Sequence, residues 1–389
     1  MSEILENIVI VGGGPVGATL ALLLARQGML VTVLEARKQG AAYHESRALA
    51  LSYGSRRILE KLGVWNRLAK NATAINTIHV SQKGSLGRSR LQAHDYKQEA
   101  LGYVLPYGAL SEALDESLAT ESSVNFVFEA SAERIEHTST LASVTYTHHG
   151  ISRILNSKLV VLADGGRSLD EVAGLVKEIK EYGHDALISK VRAELPHDNV
   201  AYERFTANGP MALLPNGERD FSLVWTGKKE YVNSLLLLDD AEFLVEFHEQ
   251  FGDRVGKFLC VDKRMTFPLK LSQLKTLDVE HLVVIGNAAQ TMHPVAGQGF
   301  NVGLRDAESL AFSITSATIE TLGSAQMLAA YQVSRKSDTK GGLLFTDFLV
   351  HIFSNDIVGL SGLRSAGLSF FDVIKPAKQY LVRKMSFGK

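Results

Sequence analysis

The first 35 residues restrict the fold more than any other stretch. Ile8-Val-Ile-Val11 is a short β-branched run, GGGPVG follows it, and Ala18 to Ala25 is apolar at every position but Thr19. Gly28 closes that segment, and a second run, Val31-Thr-Val-Leu34, ends on Glu35. The lengths and spacing predict strand, helix and strand, a βαβ unit with its glycines at the first turn. Gly12 permits the tight turn, Gly14 lets a pyrophosphate approach the backbone, and Gly17 lets helix and strand pack closely. Pro15 and Val16 open the helix, where free N–H groups and the positive dipole end attract an anion. Glu35 lies 18 residues past Gly17, with Ala36 beside it. Its carboxylate is placed to accept from a ribose 2′-OH and to repel a 2′-phosphate. A bare GxGxxG is a common turn, but within this complete unit it predicts dinucleotide binding.

A chain of 389 residues is long for one small core, so two domains are expected. At 46% hydrophobic and 21% charged it has the composition of a globular protein, and a net charge of −1 gives no electrostatic case for nucleic acid. Its single cysteine, Cys260, leaves no intrachain disulfide, redox-active pair or multi-cysteine zinc site, and a reducing cytoplasm is the expected compartment. No secretory signal is read: Glu3 and Glu6 precede an apolar run that Gly12 cuts short. Apolar runs stay below the length of a membrane span. On a strand the paired His148 and His149 are expected to project to opposite faces, a poor metal geometry.

The stretch YHESRALAL, Tyr43 to Leu51, precedes a helix expected from Tyr53 to Leu62. Arg47 within it has two readings: a solvated surface arginine, or a residue that reaches a phosphate or the cofactor edge. Thr77-Ile-His-Val80 reads as a strand of a second domain. Leu110 to Leu118 is helical in period, and Val124 to Phe128, Ala142 to Thr147 and Leu159 to Ala163 read as strands of the first domain. The last of these runs into Asp164-Gly165, either a plain Asp-Gly turn or a ligand contact at a strand's C-terminal end. From Glu181 to Asp262 short alternating runs separated by turn signals predict an antiparallel sheet, with a helix over 240–251. There Phe205, Met211, Leu213 and Trp225 are candidates for an apolar pocket, against a competing reading as core.

A third segment is GNAAQTMHPVAGQGFNVGLRDA, Gly286 to Ala307. It follows an apolar strand, crosses a loop holding His293, Pro294, Gly297 and Gly299, and enters a helix near Asn301. Strand, small-residue loop and helix start again make an anion seat. The expected division is 1–73, 101–180 and 263–333 in a cofactor domain, 74–100 and 181–262 in a substrate domain, and 334–389 in a helical C-terminal region. The tail mixes apolar positions with Arg364, Lys375, Lys378, Arg383 and Lys384, so it docks on the first domain, meets a membrane surface, or does both.

Taken together, the three segments resemble the class A flavoprotein aromatic hydroxylases. Gly12, Gly14, Gly17 and Glu35 match that family's first motif, Asp164 and Gly165 its second, and Gly286 with His293, Pro294, Gly297, Gln298 and Gly299 its third. ESRALAL, ERFTANGPMALLP (Glu203 to Pro215), SLVW and the 286–307 segment are similar to the ubiquinone-biosynthesis branch, which hydroxylates polyprenylated methoxyphenols. The family's Asp after Gly286 is Asn287 here. Its frequent arginine a few residues after Asp-Gly-x-x-Ser is absent, and Glu171 stands about there.

The resemblance implies an α/β, p-hydroxybenzoate hydroxylase-like fold with a Rossmann-like FAD domain and an inserted antiparallel-sheet substrate domain. It implies FAD, NAD(P)H as electron donor and O2 as co-substrate, the oxygen passing through a flavin C(4a)-hydroperoxide to an electron-rich ring. Cofactor contacts are expected from Gly12, Gly14, Pro15, Val16, Gly17, Glu35, Ala36, Arg47, Asp164, Gly165, Gly286, Asn287, Pro294, Gly297, Gln298, Gly299, Phe300 and Asn301. The substrate pocket is expected from Phe205, Met211, Leu213, Trp225 and Pro294. No dedicated catalytic acid or base is implied, His293 included; the loop of Pro294, Gly297 and Gln298 shapes the flavin site. No metal is expected. A prenylated phenol as substrate suggests contact with a membrane's inner face and with other ubiquinone-biosynthesis proteins. Two rivals stand: a hydroxylase of another ring position or of a soluble phenol, and a non-catalytic FAD-binding subunit.

Overall fold

The structure is a computed structural model that describes residues 5–85, 87–169, 172, 175, 177–274, 279–291, 298–336, 338, 372 and 374–388. The N-terminal unit forms as its pattern requires: β1 (Leu5–Val11), α1 (Pro15–Ala25) and β2 (Val31–Glu35). Helix α1 is buried nearly all round, which is why its sequence lacks a polar face. Next come β3 (Ala48–Ser52), α2 (Tyr53–Lys61), the single turn α3 (Trp65–Leu68), β4 (Thr73–Ile75), β5 (Thr77–Gln82), β6 (Arg88–Gln92) and β7 (Gly102–Pro106). Helix α4 (Tyr107–Leu118) leads to β8 (Val124–Phe128), β9 (Ala130–His137), β10 (Ala142–His148) and β11 (Ile151–Leu162).

Two large sheets result. In the first, the order is β8-β2-β1-β11-β10-β9, and β18 (Leu282–Val284) also pairs with β11. Strand β11 is long enough to serve two partners. Its first half pairs antiparallel with β10, and Val160–Leu162 pair parallel with β18. One face of this sheet is covered by α1, α4 and α7 (Gln298–Thr315), the other by a second apolar cluster that includes Val144, Leu162 and Val284.

The second sheet contains β12 (Lys177–Ala193), β13 (Val200–Thr206), β14 (Gly209–Pro215) and β15 (Asp220–Lys228). It is completed by β5, β6, β16 (Phe258–Val261), β17 (Met265–Leu274) and β19 (Gln290–Thr291). Strand β17 pairs with β12, so the chain leaves this sheet about ten residues later than the expected boundary at 263. Helices α5 (Lys229–Leu237) and α6 (Asp240–Phe251) cover one face, and Phe243, Phe247 and Phe251 pack beneath them. Asp239 and Glu242 form a reciprocal cap that starts α6 where the sequence places it. The opposite face is the floor of a cavity. Helix α8 (residues 325–336) and helix α9 (Lys375–Phe387) complete the described elements. Among the described residues no helix is long and apolar enough to cross a membrane, and no cluster could hold a metal ion.

Candidate active site

Three segments far apart in sequence meet at the C-terminal ends of β1, β11 and β18. Gly12 has φ +101°, and a Cβ there would lie 2.5 Å from the Asp164 Cα, so only glycine lets the first and second loops touch. A Cβ on Gly17 would lie 2.0 Å from the Gly12 carbonyl oxygen, so helix α1 seats directly on its own loop. Val16 is the wedge to the third segment: Cβ atoms on Gly286 and Gly303 would sit 3.3 and 2.8 Å from its methyl groups.

Gly14 caps α1 with no side-chain hydrogen bond, and a Cβ on it would meet nothing nearer than 3.9 Å. Beside Pro15 at N1, that leaves an open, uncapped helix start. Glu35 ends β2 with its carboxylate buried; one oxygen accepts from the Gly13 N–H at 2.8 Å, the other from Arg37 N and Nε at 2.9 Å. Burial pushes this carboxyl up, but the Arg37 hydrogen bonds and charge and the Gly13 N–H outweigh it, and the group stays below the usual carboxylate range. Gly13, Pro15, Glu35, Arg37 and Asp115 line a small cleft here. Ala36 follows on the exposed side. Asp164 spends its side chain on its own loop, accepting from Gly166 N at 2.9 Å and Ser168 N at 2.7 Å, while Gly165 takes φ +77°. The turn and the approach to Gly12 thus coexist.

In the third segment, Gly286 and Asn287 follow β18, and α7 starts at Gln298, three residues before the expected Asn301. His293, Pro294 and Gly297 lie outside the described residues, as do the Gln298 side chain and Glu171. Asn301 ties α7 to β3: it accepts from Ser52 N at 2.7 Å and donates to Ala50 O at 2.9 Å. Behind the loop, Asp306 accepts from Gly286 N at 3.1 Å and from Arg335 Nε at 2.7 Å, and Asp338 binds both Arg305 and Arg335. Burial lowers the Arg335 guanidinium, but the two carboxylates outweigh it and keep it charged. Asp306 sits in the quoted LRD, yet its role needs Arg335 and Asp338 beside it, which no local pattern announces.

Asn287, Gly299, Phe300 and Asn301 open into a cavity of about 1060 Å³. Residues 46–52 of β3 and its approach form one wall, Arg47 among them. Arg47 donates to Glu45 at 2.7 Å and lies 4.8 Å from the Tyr107 ring centre, at the cavity rim. The far wall is the open face of the large sheet, with Ile188, Glu203, Ala212, Leu214 and Val224; Leu381, Val382 and Met385 of α9 close a side.

Of the expected pocket residues, Phe205, Met211, Leu213 and Trp225 are not in this lining, and Pro294 lies outside the described residues. Met211, Leu213 and Trp225 are wholly buried in the core under α5 and α6, and Phe205 is buried as well. Side chains alternate across a strand, so the bulky positions of β14 and β15 face the core while Ala212, Leu214, Ser222 and Val224 face the cavity. Glu203, between Ala212 and Val80 in the sheet, reaches this cavity although no sequence pattern marks it.

The fold and site together define an α/β protein with a dinucleotide seat opening into a large, mainly apolar cavity. Residues 6–341 match the FAD binding domain family. Ubiquinone hydroxylase UbiL of Rhodospirillum rubrum is 33% identical over 386 residues, covering 97% of this chain and 88% of that protein. The 3-demethoxyubiquinol 3-hydroxylase of Escherichia coli is 28% identical over 369 residues, 93% of each. The solved structure of p-nitrophenol 4-monooxygenase PnpA from Pseudomonas putida superposes with a TM-score of 0.79 at 18% identity, covering 99% of this chain and 98% of that one, a likeness of fold. This chain belongs to the FAD-dependent aromatic-ring monooxygenases, in the family that includes the ubiquinone hydroxylases. FAD is its cofactor, and the open glycine loop, uncapped helix start and buried Glu35 fit that nucleotide.

Proposed function

We propose that this enzyme hydroxylates the ring of a polyprenylated methoxyphenol in ubiquinone biosynthesis, para to the hydroxyl of 2-polyprenyl-6-methoxyphenol, using NAD(P)H and O2. The observation that carries this reading is the shared cavity, with the third segment on one wall and an apolar sheet face on the other. Gly12, Gly14, Pro15, Val16 and Gly17 hold the pyrophosphate, Glu35 and Ala36 the ribose, with Asp164 and Gly165 alongside. Gly286, Asn287, Gly299, Phe300 and Asn301, with Pro294, Gly297 and Gln298, hold the isoalloxazine. Bound FAD, reduced by NAD(P)H, would supply O2 activation and transfer of one oxygen atom to an electron-rich carbon, the other leaving as water.

The chain's own part is placement and shielding. The start of α7 stabilises negative charge at the flavin's pyrimidine edge without a charged side chain. Apolar residues of the sheet and of α9 exclude water from the reacting atoms. A mostly lipid substrate arrives from a membrane, so we place the protein peripherally on a membrane's inner face, in reach of other enzymes of the route.

The test is product analysis. Holoenzyme given NAD(P)H, O2 and 2-prenyl-6-methoxyphenol should oxidise NAD(P)H faster than without the phenol and yield the para-hydroxylated quinol. Oxygen at another ring carbon would transfer the reading to a different step, and a flavin that stays oxidised under NAD(P)H would end it.

A further inference from the structure

One row of residues runs in register across the cavity floor. Met265 of β17 faces Ile188 of β12, Ile188 faces Val224 of β15, and Val224 faces Ala212 of β14. Ala212 then faces Glu203 of β13, and Glu203 faces Val80 of β5. All six line the cavity, and five are apolar. Glu203 is the exception, in the slot where the pattern calls for another valine or alanine.

Its described surroundings offer it no partner. Glu203 makes no hydrogen bond or ion pair with another described residue. The cavity-facing positions beside it, Ala212 and Leu214 on β14 and Ile78 and Val80 on β5, cannot titrate. Among the described residues, the cavity's other charged side chains are Arg47, Lys190, Asp262 and Lys263; Arg47 is held by Glu45 and Lys190 by Asp220. On β13 itself, Arg204 points to the opposite face, donating to Gln250 O and Ser81 Oγ, and Tyr202 packs there on Phe221 and Phe251. Burial pushes the Glu203 carboxyl up to about 8. A carboxyl facing an apolar cavity without a protein partner is costly, and a ligand that brings a donor removes that cost.

We propose that Glu203 accepts the hydrogen bond of the substrate's phenolic hydroxyl and thereby fixes which ring carbon faces the flavin. This rests on the phenol reading of the preceding subsection and adds the residue that orients the phenol. The apolar members of the row receive the ring edge and tail. An ionised carboxylate is the stronger acceptor, so phenol binding favours the ionised form. Affinity for the phenol therefore rises as pH passes upward through about 8, and that of a ligand without the hydroxyl does not.

The test is equilibrium binding of 2-prenylphenol and of its methyl ether to oxidised holoenzyme without NAD(P)H, followed by flavin absorbance from pH 6.5 to 9. The wild-type protein should hold the phenol on the order of tenfold more tightly than the ether, the preference growing with pH. In Glu203→Leu, with flavin content unchanged, the two ligands should bind alike and the ether should bind as in wild type. Glu203→Gln conserves volume and an acceptor, so it should keep part of the preference and lose its pH dependence. A preference that survives in Glu203→Leu, or a pH dependence that survives in Glu203→Gln, overturns the assignment. A wild-type protein that hydroxylates the phenol but does not prefer it to the ether overturns this assignment alone; one that binds neither ligand overturns the phenol reading with it.

Discussion

Gly12 and Gly299 both belong to cofactor loops, yet each is glycine for a different reason. Gly12 needs φ +101° and has the Asp164 backbone where a Cβ would go, so the protein itself requires it. Gly299 starts α7, and a Cβ there would meet nothing nearer than Asn287 Oδ1 at 3.8 Å. The two should therefore fail differently. Gly12→Ala should destabilise the apoprotein by about 2 kcal/mol or more through backbone strain and collision. Gly299→Val should leave apoprotein stability within about 1 kcal/mol, since valine is no worse than glycine in a helix, and should lose flavin. Thermal unfolding of the apoproteins and flavin-to-protein ratios separate the outcomes; full flavin in Gly299→Val would remove the third segment from the isoalloxazine seat. The glycines were legible because their spacing falls inside a complete strand–helix–strand unit. Glu203 was not, since a glutamate between Tyr202 and Arg204 reads as a solvated strand position until the pairing shows which face is open.

The same ambiguity operates on whole strands. The short alternating runs that predict an antiparallel sheet include β13, β14 and β15, and turn residues such as Asn208-Gly209 separate them. The bulky side chains on them admit both a pocket and a core reading; a core under two helices needs bulk and a ligand cavity needs its absence. That difference is visible only once α5 and α6 are known to cover one face, and α5 gave no sign of itself. A pair of substitutions on adjacent strands tests the two faces. Ala212→Phe fills space beside Glu203 and Val224, so flavin should stay while 2-prenylphenol affinity falls on the order of tenfold or more, read by flavin absorbance. Trp225→Ala should cost about 3–5 kcal/mol in unfolding stability and leave that affinity within about twofold. The reverse pattern would mean that the substrate lies on the helix-covered face.

At the scale of the whole molecule, α9 joins parts that the sequence order separates. Its end is pressed against α2: a Cβ on Gly54 would lie 2.1 Å from the Ser386 carbonyl oxygen, and the Ser52 hydroxyl donates to that oxygen at 3.3 Å. Just before it, Asp372 accepts from Ser89 Oγ and Arg90 N of β6 at 3.0 Å, reaching the large sheet. Just after it, a Cβ on Gly388 would lie 2.2 Å from Asp338, within the ion network behind the third segment. The basic, amphipathic texture of the tail allowed docking or a membrane surface; α9 docks, and most of 334–371 lies outside the described residues. Leu381, Val382 and Met385 then become cavity wall, a role no helical period could reveal because it depends on contacts some 300 residues away. Gly54→Ala tests this arrangement from the far side of the contact. The added methyl cannot coexist with the Ser386 carbonyl, so α9 should lift while the glycine loops that carry the nucleotide stay in place. Amide exchange should quicken across 375–387, flavin content should hold, and 2-prenylphenol should bind several-fold more weakly. Quicker exchange with unchanged affinity would show that α9 caps the fold without closing the site, whereas loss of flavin would show that the wall and the cofactor seat stand or fall together.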